Sequence, residues 1–249
     1  MESLWLQCVR RRPEAVRRLV CFPHAGGSAS FFREWADRLP GTEIHAVRYP
    51  GRAERIDEPC ATDLCQLAAD IAQAVASSLA DLPVALFGHS MGAAVALETA
   101  RQLENAGFAL LHLIASGSRD GELPPPQSRS HADDEDPDSV VEELVRLGGT
   151  DPELAADPIF RELVVPYVIA DTRMFHAHRM SAEPVLRCPV TTIAGDCDSD
   201  SDLRPWRRLT TGALREASVA GGHFYLVDDP PLALLTQILT VTAREETRH

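Results

Sequence analysis

Long apolar runs are missing from this 249-residue chain. Nothing approaches the roughly 18–20 consecutive residues that a membrane-spanning helix needs. The start, Met1-Glu2-Ser3-Leu4-Trp5-Leu6-Gln7-Cys8-Val9-Arg10, carries an early acid and no apolar h-region. A secretory signal is therefore not expected, and the cytoplasm is the expected compartment. Cysteines at metal spacing are missing too: Cys8, Cys21, Cys60, Cys65, Cys188 and Cys197 form no C-x-x-C pair, so neither zinc nor another metal is expected. Cys21 and Cys188 lie in or beside apolar runs and read as core thiols, whereas Cys197 sits in a polar loop and reads as exposed. Positive charge is in short supply, with 24 Lys plus Arg against 37 Asp plus Glu and a net charge of -13. Such a surface repels nucleic-acid phosphates. The arginines nevertheless cluster, at Arg10–Arg12 with Arg17 and Arg18, at Arg48, Arg52 and Arg55, and at Arg204, Arg207 and Arg208. Each cluster reads as solvated surface or as a local dock for an anionic partner.

What is present is an ordinary soluble composition, 45% hydrophobic and 24% charged, arranged as strand, turn and helix in repetition. Apolar runs predict strands at 19–22, 44–47, 84–87, 111–115, 190–194 and 215–219. Helical spacing is expected over 30–39, 62–79, 93–103 and 230–242. Apolar strands alternating with amphipathic helices predict a mostly parallel sheet with helices on both faces. One stretch breaks the rhythm. Nearly eighty residues between the strands at Leu111 and Val190 contain no good strand, too long for a structureless connection. They open on Pro124-Pro125-Pro126 and the acids Asp133, Asp134, Glu135, Asp136 and Asp138, followed by helical patterns near 140–147 and 159–178. A single α/β domain over 1–249 is expected, with a helical lid inserted at about 120–186.

Gly88-His89-Ser90-Met91-Gly92 matches G-x-S-x-G directly after an apolar strand and directly before a helix. This is the setting of a nucleophile elbow, where a serine on a strained turn projects its hydroxyl off the sheet. Ser90 is the candidate nucleophile. A serine hydroxyl needs a positioned base, and His223, in Gly221-Gly222-His223-Phe224 just past the last expected strand, falls on the same sheet edge. His24 is expected to line the site. A carboxylate should hold the histidine, and the loop Gly195-Asp196-Cys197-Asp198-Ser199-Asp200-Ser201-Asp202 offers four. Asp198 is the candidate, with Asp196 and Asp200 as alternatives. The chain order Ser, Asp, His is that of the α/β-hydrolase fold. Oxyanion donors are expected from the backbone N–H of Met91 and of Ala25, the latter in Pro23-His24-Ala25-Gly26-Gly27 after the first strand. That Gly-rich turn lacks both the lysine of a P-loop and the full G-x-G-x-x-G, and no cofactor is expected.

Together these motifs resemble the type II thioesterases of polyketide and nonribosomal peptide synthesis. The resemblance rests on Phe22-Pro23-His24-Ala25-Gly26-Gly27, Tyr49-Pro50-Gly51-Arg52 with Arg55, Gly88-His89-Ser90-Met91-Gly92-Ala93, Leu147-Gly148-Gly149-Thr150, Cys188-Pro189-Val190 and Gly221-Gly222-His223-Phe224. It implies an antibiotic-pathway hydrolase that removes stalled or aberrant acyl groups from the phosphopantetheine arm of an acyl or peptidyl carrier protein. It maps the catalytic Ser, Asp and His onto Ser90, Asp198 and His223, and the oxyanion donors onto Ala25 and Met91. One position departs: the family's apolar residue three places past the acid is Ser201 here, which keeps Asp196 and Asp200 open. Met174, Phe175 and Met180 are candidate linings of an acyl chamber under the lid, and a monomer is expected. The competing expectations are a small-molecule esterase or lipase, and a binding protein that has kept the scaffold without activity.

Overall fold

The computed structural model describes residues 3–122 and 136–246, with side chains through 240. In chain order the strands are β1 (Leu6–Cys8), β2 (Arg17–Phe22), β3 (Thr42–Val47), β4 (Val84–His89), β5 (Leu110–Ser116), β6 (Ser118–Asp120), β7 (Val190–Gly195), β8 (Asp202–Arg204) and β9 (Leu214–Val219). The helices are α1 (Leu64–Ser78), α2 (Met91–Asn105), α3 (Pro137–Arg146), α4 (Pro152–Ala155), α5 (Pro158–Leu163), α6 (Val165–Ala177), α7 (Trp206–Leu209), α8 (Tyr225–Asp228) and α9 (Leu232–Glu246). Seven strands form one sheet in the order β1-β3-β2-β4-β5-β7-β9. Every neighbouring pair is parallel except β1 with β3. This is the mostly parallel, helix-flanked sheet of the α/β-hydrolase fold. No described helix is long and apolar enough to cross a membrane.

Both faces of the sheet are buried, and the strands show why. Successive side chains point to opposite faces. Val20 and Phe22 therefore join Leu86 and Leu113 in the core under α1 and α2. Leu19 and Cys21 join Phe87 and Ile114 in the core under α9. Continuous apolar runs such as Val84-Ala85-Leu86-Phe87 are the consequence. Cys21 and Cys188 are buried and Cys197 is exposed.

Three elements differ from expectation. The segment Ala29–Asp37 is a 3-10 helix. Three residues per turn put Ala29, Phe32 and Trp35 on one face, and all three are buried. The edge strand β1 carries only three residues, too few for a periodicity signal. The strands β6 and β8 form a separate parallel pair just beyond the end of β5.

Between β6 and β7 lie the inserted helices α3 to α6. Three of them start alike, with Asp136, Asp151 and Asp157 as N-caps and a proline at the next position. Each aspartate accepts a hydrogen bond from backbone N–H groups of the first turn. Proline loses nothing there, because its missing N–H would have had no helical partner. Pro124 to Pro126 and the acids at 133–135 lie outside the described residues.

Candidate active site

Ser90 stands between β4 and α2 with φ 55° and ψ -123°. A non-glycine residue in this region stores on the order of 1–3 kcal/mol of strain that the surroundings must offset. They do so from both sides. The Ser90 N–H donates to Ser116 O at 2.9 Å, tying the turn to the end of β5, and Ser90 O accepts from Ala93 N at 2.9 Å. Gly92 sits so close to the backbone of Phe22 and Pro23 that a Cβ would overlap both carbonyls. The start of α2 is thus pressed against the root of the loop that carries Ala25.

His223 and Asp198 meet across the loops after β9 and β7. Nδ1 of His223 lies 3.0 Å from Asp198 Oδ2, both side chains being almost wholly buried. This contact assigns the Nδ1 proton toward the carboxylate and leaves Nε2 free as a base. Burial alone would raise the Asp198 carboxyl. Hydrogen bonds from His223, Ser201 and the Asp200 N–H outweigh it and hold the group below the ordinary carboxylate range. The other acids of the loop are engaged elsewhere. Asp196 accepts from Gly221 N at 2.9 Å. Asp200 takes the Arg146 guanidinium at 2.9 and 3.1 Å. Asp202 pairs with Arg204.

His223 meets the elbow at the residue before the serine: its ring is 5.0 Å from that of His89, centroid to centroid. A Cβ on Gly117 would lie 3.0 Å from both rings, so the two histidines share one wall. His89 itself is committed. Its Nδ1 meets Ser116 Oγ at 2.8 Å, and that hydroxyl meets Tyr225 OH at 2.6 Å. Burial, and then the charges of His223 and His24, push His89 well below the ordinary histidine range. His24 lines the site as expected, its ring 4.8 Å from Phe224 and 6.1 Å from His89. Burial, with smaller effects from His223 and Arg52, pushes it down to about 3, so it stands neutral near pH 7.

Neither the Ala25 nor the Met91 N–H donates to another described residue. Two backbone donors without acceptors among the described residues, one in the loop after β2 and one at the N-terminus of α2, can take a developing negative oxygen. Metal-type donors gather elsewhere. Among the described residues, Cys8, Glu43 and His45 form the trio within 4.8 Å, separated from β4 by β2. Glu43 there is already held by Arg12 N at 2.9 Å, His45 at 2.9 Å and Arg18 at 3.3 Å.

The inserted helices touch all three loops. Arg146 of α3 pairs with Asp200 in the acid loop. Gly149 packs so tightly on Phe224 that a Cβ would come within 2.8 Å of the ring. On α6, Asp171 accepts from Gly26 N at 2.9 Å and forms a two-point ion pair with Arg52 at 2.5 and 2.6 Å.

That pair corrects an expectation. Arg52 and Arg55 are 3% and 5% exposed and Arg204 is 4% exposed, so these arginines are internal structure rather than docking surface. Arg207 and Arg208 are exposed but paired with Asp120 and Glu122. The expected chamber lining also sits differently. Met174 belongs to the core beneath α1 and α2, while Phe175 and Met180 pack beside Arg204. Ser116, Tyr225 and Asp171 went unnoticed in the sequence, where no local pattern marks them.

A thioesterase-domain family model matches residues 17–241. Thioesterase PikA5 of Streptomyces venezuelae is 39% identical over 233 residues, covering 91% of this chain and 81% of that protein. The type II thioesterase BorB from the borrelidin biosynthetic cluster superposes with a TM-score of 0.82 at 33% identity, covering 96% of this chain and 99% of that one. YbtT, a type II thioesterase from the Yersiniabactin NRPS/PKS biosynthetic pathway, gives a TM-score of 0.82 at 31% identity, covering 95% and 97%. An elbow serine, a paired histidine and aspartate, and likeness along nearly the whole chain agree on one conclusion: this chain belongs to the thioesterase family, as a hydrolase of thioesters similar in structure to type II thioesterases.

Proposed function

We propose that the protein removes acyl groups from the phosphopantetheine arm of an acyl or peptidyl carrier protein through an acyl-Ser90 intermediate. The observation that carries this is the 3.0 Å contact of His223 Nδ1 with buried Asp198, beside an elbow serine at φ 55°. Nε2 of His223 takes the Ser90 proton as Oγ attacks the thioester carbonyl. The carbonyl oxygen becomes negative and is met by the N–H groups of Ala25 and Met91. Collapse breaks the carbon–sulfur bond, the sulfur of the arm takes the proton from His223 Nε2 and leaves as thiol, and an ester remains on Ser90. Water, deprotonated by the same nitrogen, then releases the acid and restores the serine. Asp198 keeps the imidazole in the working tautomer and stabilises its cation.

The inserted helices act as a lid in this proposal, over a chamber for the acyl chain. The borrelidin biosynthetic cluster named for BorB and the NRPS/PKS pathway named for YbtT support a role in clearing blocked carriers during such synthesis.

Mass spectrometry of an acylated carrier protein before and after treatment tests the proposal. Loss of the acyl mass, with a transient acyl adduct on the peptide containing Ser90, is expected. Neither should occur with Ser90→Ala. Faster turnover of a free ester bearing the same acyl group than of the carrier thioester would overturn the carrier assignment and make the protein a small-molecule esterase.

A further inference from the structure

Arg52 and Asp171 form a buried ion pair between residues 119 apart in sequence, each side chain only 3% exposed. Burying two charges costs several kcal/mol per ion unless the geometry is excellent and the remaining donors and acceptors are used. The first condition holds, and the second holds apart from Arg52 Nε, which is buried without a hydrogen-bond partner. The pair is two-pointed, and Tyr167 places its ring over the guanidinium, 4.7 Å from centroid to Cζ. The remaining capacity goes to one short stretch of backbone. Asp171 Oδ2 accepts from Gly26 N at 2.9 Å, and Arg52 Nη1 donates to Gly27 O at 3.2 Å. These are the two residues that follow Ala25. On the other side of Ala25, Tyr49 OH donates to Pro23 O at 3.2 Å, and Tyr49 lies against Arg52, 5.4 Å from ring centroid to Cζ.

Gly26 is held in a left-handed conformation, φ +76°, where a side chain would be strained. Its α-carbon faces α6 directly: a Cβ would come within 2.7 Å of Val168 Cγ2. The turn carrying Ala25 is therefore gripped from outside by α6 while its own conformation is one that an unheld Gly-Gly pair would leave readily.

We infer that Arg52 and Asp171 are a positioning pair that holds the Ala25 N–H at the oxyanion site, making that donor dependent on the seating of α6. This inference rests on the proposed role of Ala25. Asp171 does not touch the reacting atoms. It acts through Gly26, fixing the orientation of the preceding peptide. When α6 lifts, Gly26 N–H loses its acceptor and the Arg52 guanidinium that holds Gly27 C=O loses its counter-ion, and the oxyanion site loses its shape while Ser90, His223 and Asp198 keep theirs. Hydrolysis is thereby confined to the seated state of the inserted helix.

The test uses the whole enzyme with three small probes: butyryl-N-acetylcysteamine as substrate, propylboronic acid, and S-butyl-N-acetylcysteamine, a thioether without the carbonyl. Boron accepts the Ser90 oxygen and becomes tetrahedral, with one of its oxygens at the oxyanion position. Asp171→Asn should lower kcat about 10- to 100-fold, with KM changed less than threefold, and weaken the boronate by the same factor. Thioether binding should stay within threefold. Asp171→Glu should recover part of the loss.

Arg52→Met with Asp171→Leu removes both charges and keeps apolar volume, so it should restore the thermal midpoint lost in the single variants. It should not restore boronate affinity. Parallel loss of thioether and boronate binding in Asp171→Asn, or full boronate affinity in the stable double variant, would overturn the inference. A wild-type enzyme that neither cleaves the thioester nor binds the boronate would instead overturn the proposed function itself.

Discussion

Ser201 Oγ donates to Asp198 Oδ2 at 2.7 Å, the same carboxylate oxygen that faces His223 Nδ1 at 3.0 Å. Behind it, Arg119 Nε donates to Ser201 Oγ at 3.3 Å. The polar residue at 201 thus feeds a donor, backed by a cation, into the carboxylate that meets His223. Part of the carboxylate's charge is neutralised before it reaches the imidazole. Ser201→Ala removes a hydrogen bond that holds the Asp198 carboxyl low, so that carboxyl should rise and the kcat/KM profile should lose activity at a higher pH on its acid side. A profile that superposes on the wild type would show Ser201 to be a spectator.

The two close glycine contacts should fail differently. Gly92→Ala drives a methyl into the carbonyls of Phe22 and Pro23, which cannot move without opening β2, so no folded protein is expected from it. Gly149→Ala meets the edge of the Phe224 ring, a side chain that can shift. It should cost about 1–3 kcal/mol in urea unfolding and displace His223 enough to lower kcat roughly tenfold. Wild-type kcat in a destabilised Gly149→Ala would separate the inserted segment from His223.

The buried chain Tyr225 OH, Ser116 Oγ, His89 Nδ1 sets an order of severity. Tyr225→Phe removes one end and should lower stability by about 1 kcal/mol. Ser116→Ala strands both the Tyr225 hydroxyl and the His89 nitrogen, and should cost about twice to three times as much. Equal unfolding midpoints for the two variants would contradict the chain.

Acid stability has an identifiable contributor away from the site. His112, buried in β5 and bonded through Nε2 to Thr191 Oγ1 at 2.8 Å, is pushed down to about 4 by burial and then by Arg215. An unfolded histidine protonates near 6.5. Between about pH 6.5 and 4 the unfolded chain therefore binds more protons than the folded one. Stability from this group is complete above that window and falls as pH drops through it, by on the order of 2–3 kcal/mol in all. His112→Gln should flatten the loss in a series of urea melts across this range. An unchanged slope would assign the acid sensitivity to other groups.

The strand–turn–helix around Ser90 was legible because its signal is local: apolar run, glycines and helix lie within about twenty residues. His223 was legible for the same reason, from a Gly-Gly turn after a strand. The acid was harder, since aspartates at every second position in one loop look equivalent along the chain. They are distinguished by partners far away, with Gly221 25 residues from Asp196 and Arg146 54 residues from Asp200. Asp171 gave no signal at all. A lone acid in a mostly apolar helix reads as a solvated residue until the fold brings Arg52 to it. The same kind of pairing explains why Arg52, Arg55 and Arg204, members of arginine clusters in the sequence, are internal. The helix expected at 30–39 is of the 3-10 type, a distinction the sequence does not draw because Phe32 and Trp35 satisfy the three-residue spacing of both kinds.

The contacts of Arg146, Gly149 and Asp171 carry a consequence for engineering. Helices α3 to α6 follow one another between β6 and β7, and under the proposed lid role exchanging them for those of a relative is a route to a new acyl preference. Each graft would bring its own counterparts to Asp200, Phe224 and Arg52, or none. A chimera drawn at helix boundaries would lose turnover before it gained a new chain length. Remodelling of selectivity in this scaffold starts from individual side chains within the insertion, with Gly149, Val168 and Asp171 carried over unchanged.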